Sequence, residues 1–130
     1  MKQYLDLVQE VLDRGTRKEN RTGVDTISAF NINYSIDLNE GFPLLTTKEI
    51  SWKNIVVENL WFLSGDLHIG LLKKHGCKFW DHWADDEGYV PSAYGNFWRK
   101  FPIHGEQKYN DQVRYVLDTL KKNPNSRRMV

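Results

Sequence analysis

Ile55-Val56-Val57-Glu58-Asn59-Leu60-Trp61-Phe62-Leu63 is the most apolar stretch of the chain, and it carries a single carboxylate at its centre. Ser51 stands where a helix N-cap is expected and Gly65 where a helix ends, with no proline or glycine between them. The stretch therefore predicts a helix. Its apolar residues run all round that helix, which predicts a segment buried inside a domain rather than an amphipathic surface helix. Glu58 must then be hydrogen-bonded, protonated or at work, because an unpartnered buried carboxylate is costly. A structural carboxylate, paired with an arginine or a capping group, accounts for the stretch as well as a functional one does.

Outward from this helix the signals are simpler. Residues 3–14 carry Tyr4, Leu5, Leu7, Val8, Val11 and Leu12 at helical spacing and stop at Gly15. Arg17 to Gly23 reads as a polar turn. From Thr26 to Leu38 the period changes to two, with Phe30, Ile32, Tyr34, Ile36 and Leu38 on one side. Asn31, Asn33, Ser35 and Asp37 share the other side, which predicts a long strand with one buried face. Asn39 to Pro43 is a turn, and Leu44 to Lys48 a short extended segment.

On the C-terminal side, a shorter helix is predicted from about Leu67 to His75. Residues 76–105 read as irregular and rich in aromatics, either a layer covering a core or the wall of a ligand pocket. A last helix from about Asp111 to Lys121 presents Val113, Val116, Leu117 and Leu120 on one face, and Asn123-Pro124-Asn125 stops it. Ser126 to Val130 reads as the beginning of a strand. About four helices around one long strand, with the sheet incomplete, predict an α+β class and one part of a larger domain, since a strand begun at Arg128 needs a continuation and neighbours. No repeat, low-complexity segment or linker interrupts the chain.

Composition narrows the function. One hundred and thirty residues fit one domain or part of one, and a formal net charge of +1 argues against a dedicated non-specific nucleic-acid binder. Five tryptophans within a 40% hydrophobic composition are enough for a core. No apolar run is long enough to span a bilayer, and Met1 to Asp6 lacks the pattern of a signal peptide. Cys77 is the lone cysteine, so an internal disulfide is impossible and a reducing, cytoplasmic setting is expected.

Several groups carry candidate chemistry. Arg21 lies in a turn beside Thr22-Gly23, and Arg127-Arg128 follow a helix stop, where their donor forks suit phosphate or carboxylate oxygens. Read singly, each is equally a solvated loop charge. His68, His75, Cys77 and His82 do not have the paired spacing of a zinc site, so no metal is expected. Cys77 has no evident base beside it and is not expected to act as a nucleophile. Trp80-Asp81-His82-Trp83 and Tyr94-Gly95-Asn96-Phe97-Trp98-Arg99 offer flat faces and polar groups suited to a fused heterocycle or to stacked bases, or else to core packing. A rival of another class is a non-catalytic module that holds RNA or nucleotides with these aromatics and Arg21, Arg99, Arg127 and Arg128, a reading the near-zero net charge does not favour.

The order of the motifs decides more than any one of them. Met1-Lys2-Gln3-Tyr4-Leu5, Asn20-Arg21-Thr22-Gly23, Gly41-Phe42-Pro43-Leu44-Leu45-Thr46-Thr47-Lys48, Glu58 to Asp66, Trp80-Asp81-His82-Trp83-Ala84-Asp85, Tyr94 to Arg99 and Asn125-Ser126-Arg127-Arg128 resemble the N-terminal half of thymidylate synthases, in the same order and at nearly the same spacing. The resemblance implies methylation of dUMP at C5, with 5,10-methylenetetrahydrofolate as cosubstrate, in a homodimer. It implies that Arg21 binds the dUMP phosphate, and that Arg127 and Arg128 reach the phosphate in the partner's site. Glu58 is implied to order water and relay protons, Trp80 and Trp83 to line the folate ring, Tyr94 to stand beside the nucleophile and Lys48 to meet the folate glutamate tail. The family's nucleophilic cysteine lies in a Pro-Cys-His segment. No such segment occurs here, so these 130 residues alone are expected to be inactive.

Two departures stand out. Family members usually carry a basic residue after Thr-Thr-Lys, and often a histidine two further on, where this chain has Glu49 and Ser51. That loss of positive charge implies a weaker hold on a polyglutamyl tail. The usual Gly-Pro-Val before Tyr94-Gly95 is Pro91-Ser92-Ala93, which is closer to the related dUMP/dCMP hydroxymethylases, in which water rather than hydride completes the reaction. Trp83 and the Trp-Ala-Asp-Asp-Glu-Gly run point back toward the synthase.

Overall fold

A computed structural model describes residues 2–129 of the chain, which group into two compact units, residues 1–50 and 51–130. In the first unit the apolar stripe of residues 4–12 forms helix α1 (Lys2–Arg14), closed by the Gly15 N–H donating to the Val11 carbonyl. Strand β1 (Thr16–Lys18) pairs antiparallel with β2 (Thr26–Ser28), Thr16 opposite Ser28 and Lys18 opposite Thr26. Arg17 and Asp25 are ion-paired at 2.6 Å beside that ladder. Part of the predicted polar turn is therefore strand, and the turn itself is tightened by the Gly23 N–H on the Asn20 carbonyl at 3.0 Å.

The long strand predicted over residues 26–38 stops at Ser28. Two physical causes act together. A ladder extends only as far as its partner, and β1 offers three residues. Asn31 also adopts a left-handed conformation, φ 56°, which breaks the alternation that would keep one face inward. Phe30 is consequently 84% exposed rather than buried. At the far end Asp37 accepts from the Asn39 N–H and caps a 3-10 turn over Leu38–Glu40.

The second unit holds the core: Val57, Trp61, Phe62, Ile69, Leu72, Cys77, Val90 and Ala93. Helix α2 (Trp52–Ser64) spans the stretch around Glu58, and Gly65 ends it at φ 72°, a left-handed turn that favours glycine. Ser51 serves the start through its carbonyl, which accepts from Asn54 and Ile55, and its hydroxyl makes no capping bond. All-round burial is not found. Val57, Trp61 and Phe62 are buried while Leu60 is 55% exposed, because α3 and α4 pack against α2 and leave an outer apolar face.

Helix α3 (Gly70–Lys74) is shorter than the predicted 67–75. Asp66 and His68 accept from the backbone N–H groups of His68 and Gly70, and His68 is bridged to Tyr89 in the following loop. The segment expected to be irregular contains a 3-10 turn at Asp81–Trp83, helix α4 (Tyr94–Arg99) and β3 (Phe101–Pro102), which pairs antiparallel with β4 (Tyr109–Asn110) beyond it. Helix α5 (Gln112–Lys122) starts one residue late because Asp111 is its cap, accepting from the Arg114 N–H at 2.9 Å. Five α-helices and two short antiparallel ladders thus replace four helices around a long strand among the described residues, within an α+β composition. Ser126 to Met129 form no strand, and Val130 lies outside the described residues.

Candidate functional site

Glu58 lies on the flank of α2, half-buried beside the core residues Val57, Trp61 and Phe62. Its carboxylate is not left alone. The Trp80 indole Nε1–H donates to Glu58 Oε1 at 2.7 Å, which fixes both groups and offsets part of the cost of withdrawing the carboxylate from water. The Trp80 ring is held edge-on by Trp61 at 5.4 Å and by Phe62 at 5.8 Å. The 3-10 turn that follows, with the Trp83 N–H on the Trp80 carbonyl, brings the Trp83 ring to 5.8 Å from Trp80.

The opposite wall comes from α4. A Cβ on Gly95 would lie 2.5 Å from the Phe62 carbonyl oxygen, so glycine is what lets α4 lie directly on α2. That contact sets the Tyr94 ring 5.2 Å from Phe62 and 6.2 Å from Trp80. The result is a cleft of about 560 Å³ lined by Glu58, Phe79, Trp80, Trp83, Ser92 and Tyr94. Its size lies within the range of small-molecule sites, and its make-up of broad aromatic surfaces with few polar groups is typical of them. Trp83 is 65% exposed, so one broad ring surface is available to a ligand.

Four of the residues singled out in the sequence, Glu58, Trp80, Trp83 and Tyr94, meet in this cleft. Arg127 and Arg128 are exposed, do not line it, and have no ion pair among the described residues. The Tyr115 hydroxyl donates to the Arg128 carbonyl and fixes that backbone. Arg21 and Lys48 are exposed in the other unit, Arg21 in the turn closed by Asn20 and Gly23. Two lining residues, Phe79 and Ser92, were not among the predicted site residues. Ser92 had a signal in the unusual Pro91-Ser92-Ala93, whereas Phe79 had none beyond its place next to Trp80.

Other candidates have structural duties. Arg99 binds Asp111 through Nη2 at 2.8 Å and the Leu63 carbonyl through Nη1 at 2.9 Å, tying the end of α2 to the start of α5. The Arg114 N–H, and then Arg99, hold the Asp111 carboxyl below its ordinary value against an opposing effect of burial. Cys77 is buried with its thiol donating to Asn54 Oδ1 at 3.1 Å, and it does not line the cleft. His68 uses both ring nitrogens on backbone groups.

A thymidylate synthase family profile matches residues 2–130, nearly the whole chain. The chain belongs to the thymidylate synthase family. It is 48% identical to a thymidylate synthase of Haloferax volcanii over 96% of its own length, and that alignment covers 42% of the relative. This member of the thymidylate synthase family therefore spans about two fifths of the curated relative it matches. Among the described residues no helix is long and apolar enough to cross a membrane.

Proposed function

We propose that this chain contributes the folate-facing wall and a proton-relay carboxylate to a thymidylate synthase-type transfer of one carbon to C5 of dUMP. The observation that carries the reading is the Glu58–Trp80 hydrogen bond on the wall of an aromatic cleft, in a chain matched along its length by this family. The cleft's lining fits the flat heterocycle of 5,10-methylenetetrahydrofolate, with Trp80 and Trp83 as faces and the carboxylate as an acceptor for ring N–H groups. That cosubstrate, when bound, supplies the carbon and the hydride.

The chain's own residues do the rest of what is proposed for it. Glu58 orders water and moves protons at the pyrimidine and the folate, and the Trp80 N–H keeps one of its oxygens fixed while the other is free to exchange a proton. Trp80 and Trp83 keep water from the reacting groups. Tyr94 stands beside the position of the attacking thiol. Arg21 binds the phosphate of dUMP, Arg127 and Arg128 bind the phosphate in the other subunit of a homodimer, and Lys48 meets the folate tail. The thiol of Cys77 is buried against Asn54, so these residues bring no nucleophile to the cleft, and turnover needs a thiol from further polypeptide. A cytoplasmic setting belongs to the same reading.

A hydroxymethylase is the second reading, and one observation favours it: Ser92 presents a hydroxyl on the cleft wall where the synthases usually have proline. A reconstitution experiment tests both. The chain is combined with the part of the Haloferax volcanii relative outside the matched region, given dUMP and 5,10-methylenetetrahydrofolate, and the product is identified. Formation of dTMP only when both parts are present is expected. Hydroxymethyl-dUMP would favour the second reading, and a folded complex without turnover would overturn both.

A further inference from the structure

The loop between Trp83 and Tyr94 carries the cleft at both ends, with Trp83 at its start and Ser92 and Tyr94 at its finish. A single imidazole is anchored at its middle. The His68 ring sits between two glycines that leave room for it: a Cβ on Gly70 would lie 2.8 Å from Nδ1, and a Cβ on Gly88 would lie 2.9 Å from Nε2. Gly70 N–H donates to Nδ1 at 3.0 Å, so Nδ1 must be the unprotonated nitrogen. Nε2 then carries the proton and donates to the Glu87 carbonyl at 3.1 Å. The only arrangement that makes both bonds is the neutral ring with its proton on Nε2.

We infer that His68 is a positioning residue for the cleft, pinning the 83–94 loop to the core through this one tautomer. Its backbone completes the anchorage. The His68 carbonyl accepts from the fully buried Trp61 indole at 3.0 Å, while Ile69 donates to Gly88 and Val90 to Leu67, each at 2.9 Å. The ring edge packs on Tyr89 at 5.0 Å, and Asp85 holds the loop tip by accepting from Glu87 and Tyr89. Trp61 thus supports the cleft twice, directly under Trp80 and through His68 under the loop. The consequence for ligand binding rests on the reading of the cleft given above, whereas the anchorage does not.

Nuclear magnetic resonance on the 130-residue chain tests this. The imidazole nitrogen signals of His68 should show the Nε2–H tautomer, and an Nδ1–H or charged ring would overturn the inference. In His68→Ala the Val90 amide should lose exchange protection and the Trp83 indole and Ser92 signals should move, with α5 unchanged. His68→Asn keeps an acceptor for Gly70 but cannot reach Glu87, and His68→Gln does the reverse. Asn should therefore restore the Gly70 amide and not the loop, while Gln restores the loop and not Gly70. These two variants carry the test if alanine prevents folding. Cleft signals that stay unchanged in all three would overturn the inference. Folic acid, followed by tryptophan quenching, should bind about tenfold more weakly to the alanine variant. Wild-type protein that binds no folic acid but shows the tautomer and the loop response would remove the ligand assignment and leave the anchorage standing.

Discussion

Residues 2–50 bury no side chain, whereas residues 51–129 enclose Trp61, Ile69, Leu72 and Val90 almost completely. Helices α1 and α5 carry amphipathic patterns of comparable strength and neither buries a residue, so amphipathicity alone does not make the contrast. It comes from partners. In the second unit α3 and α4 each pack against α2, and Gly95 lets α4 lie directly on it. In the first unit α1 and a three-residue ladder leave most apolar side chains in water. Chemistry follows the same division. Glu58, Trp80 and Tyr94 are held by ring contacts and a hydrogen bond to the core, while Arg21 and Lys48 sit on exposed turns.

The largest expected effect falls on the better-packed unit. Trp61→Ala removes a fully buried indole and its bond to the His68 carbonyl, and truncations of this kind cost about 3–5 kcal/mol. Denaturant unfolding should show the 51–130 unit lost or nearly so. A smaller effect is expected at the seam of α4 and α5. Asp111→Ala removes the cap of α5 and should cost about 0.5–2 kcal/mol in the same assay.

Asp111 also gives that seam a pH signature. Its carboxyl is held below the ordinary 3.8 by the Arg114 N–H first and then, against the effect of burial, by Arg99. The contribution is therefore complete above 3.8 and disappears as pH falls through the lower folded value. Acid titration of wild-type protein should show this loss, and the alanine variant should lack it. The smallest effect belongs to the first unit. Arg17→Ala breaks an exposed ion pair with Asp25 and should change stability by about 1 kcal/mol or less, vanishing at high salt. A larger change would mean that the hairpin is held more firmly than its exposure indicates.

Legibility followed the same line between local and non-local causes. Helices α1, α2 and α5 were readable because caps, stops and period all lie within the segment, from Ser51 to Gly65 in α2 and from Asp111 to Asn123 at α5. Residues 29–38 alternate as a strand would, but alternation says nothing about whether a neighbour exists, nor that Asn31 turns left-handed. Helix α4 was invisible, six residues being too few for a period. The cleft was partly legible, since a carboxylate in an apolar helix asks for a partner and two nearby tryptophans can supply one. That Trp80 is the partner, and that Arg99 is committed to Asp111 instead of a ligand, depended on packing across elements.

The central claim is that the carboxylate held by Trp80 moves protons. Glu58→Gln isolates it, because the amide oxygen still accepts the Trp80 N–H while the side chain no longer exchanges a proton. Turnover and dUMP affinity should be measured side by side on the chain reconstituted with the remainder of the Haloferax volcanii relative. Turnover is expected to fall about 100-fold or more with affinity nearly unchanged. Turnover equal to wild type, or affinity falling in step with turnover, would contradict the account.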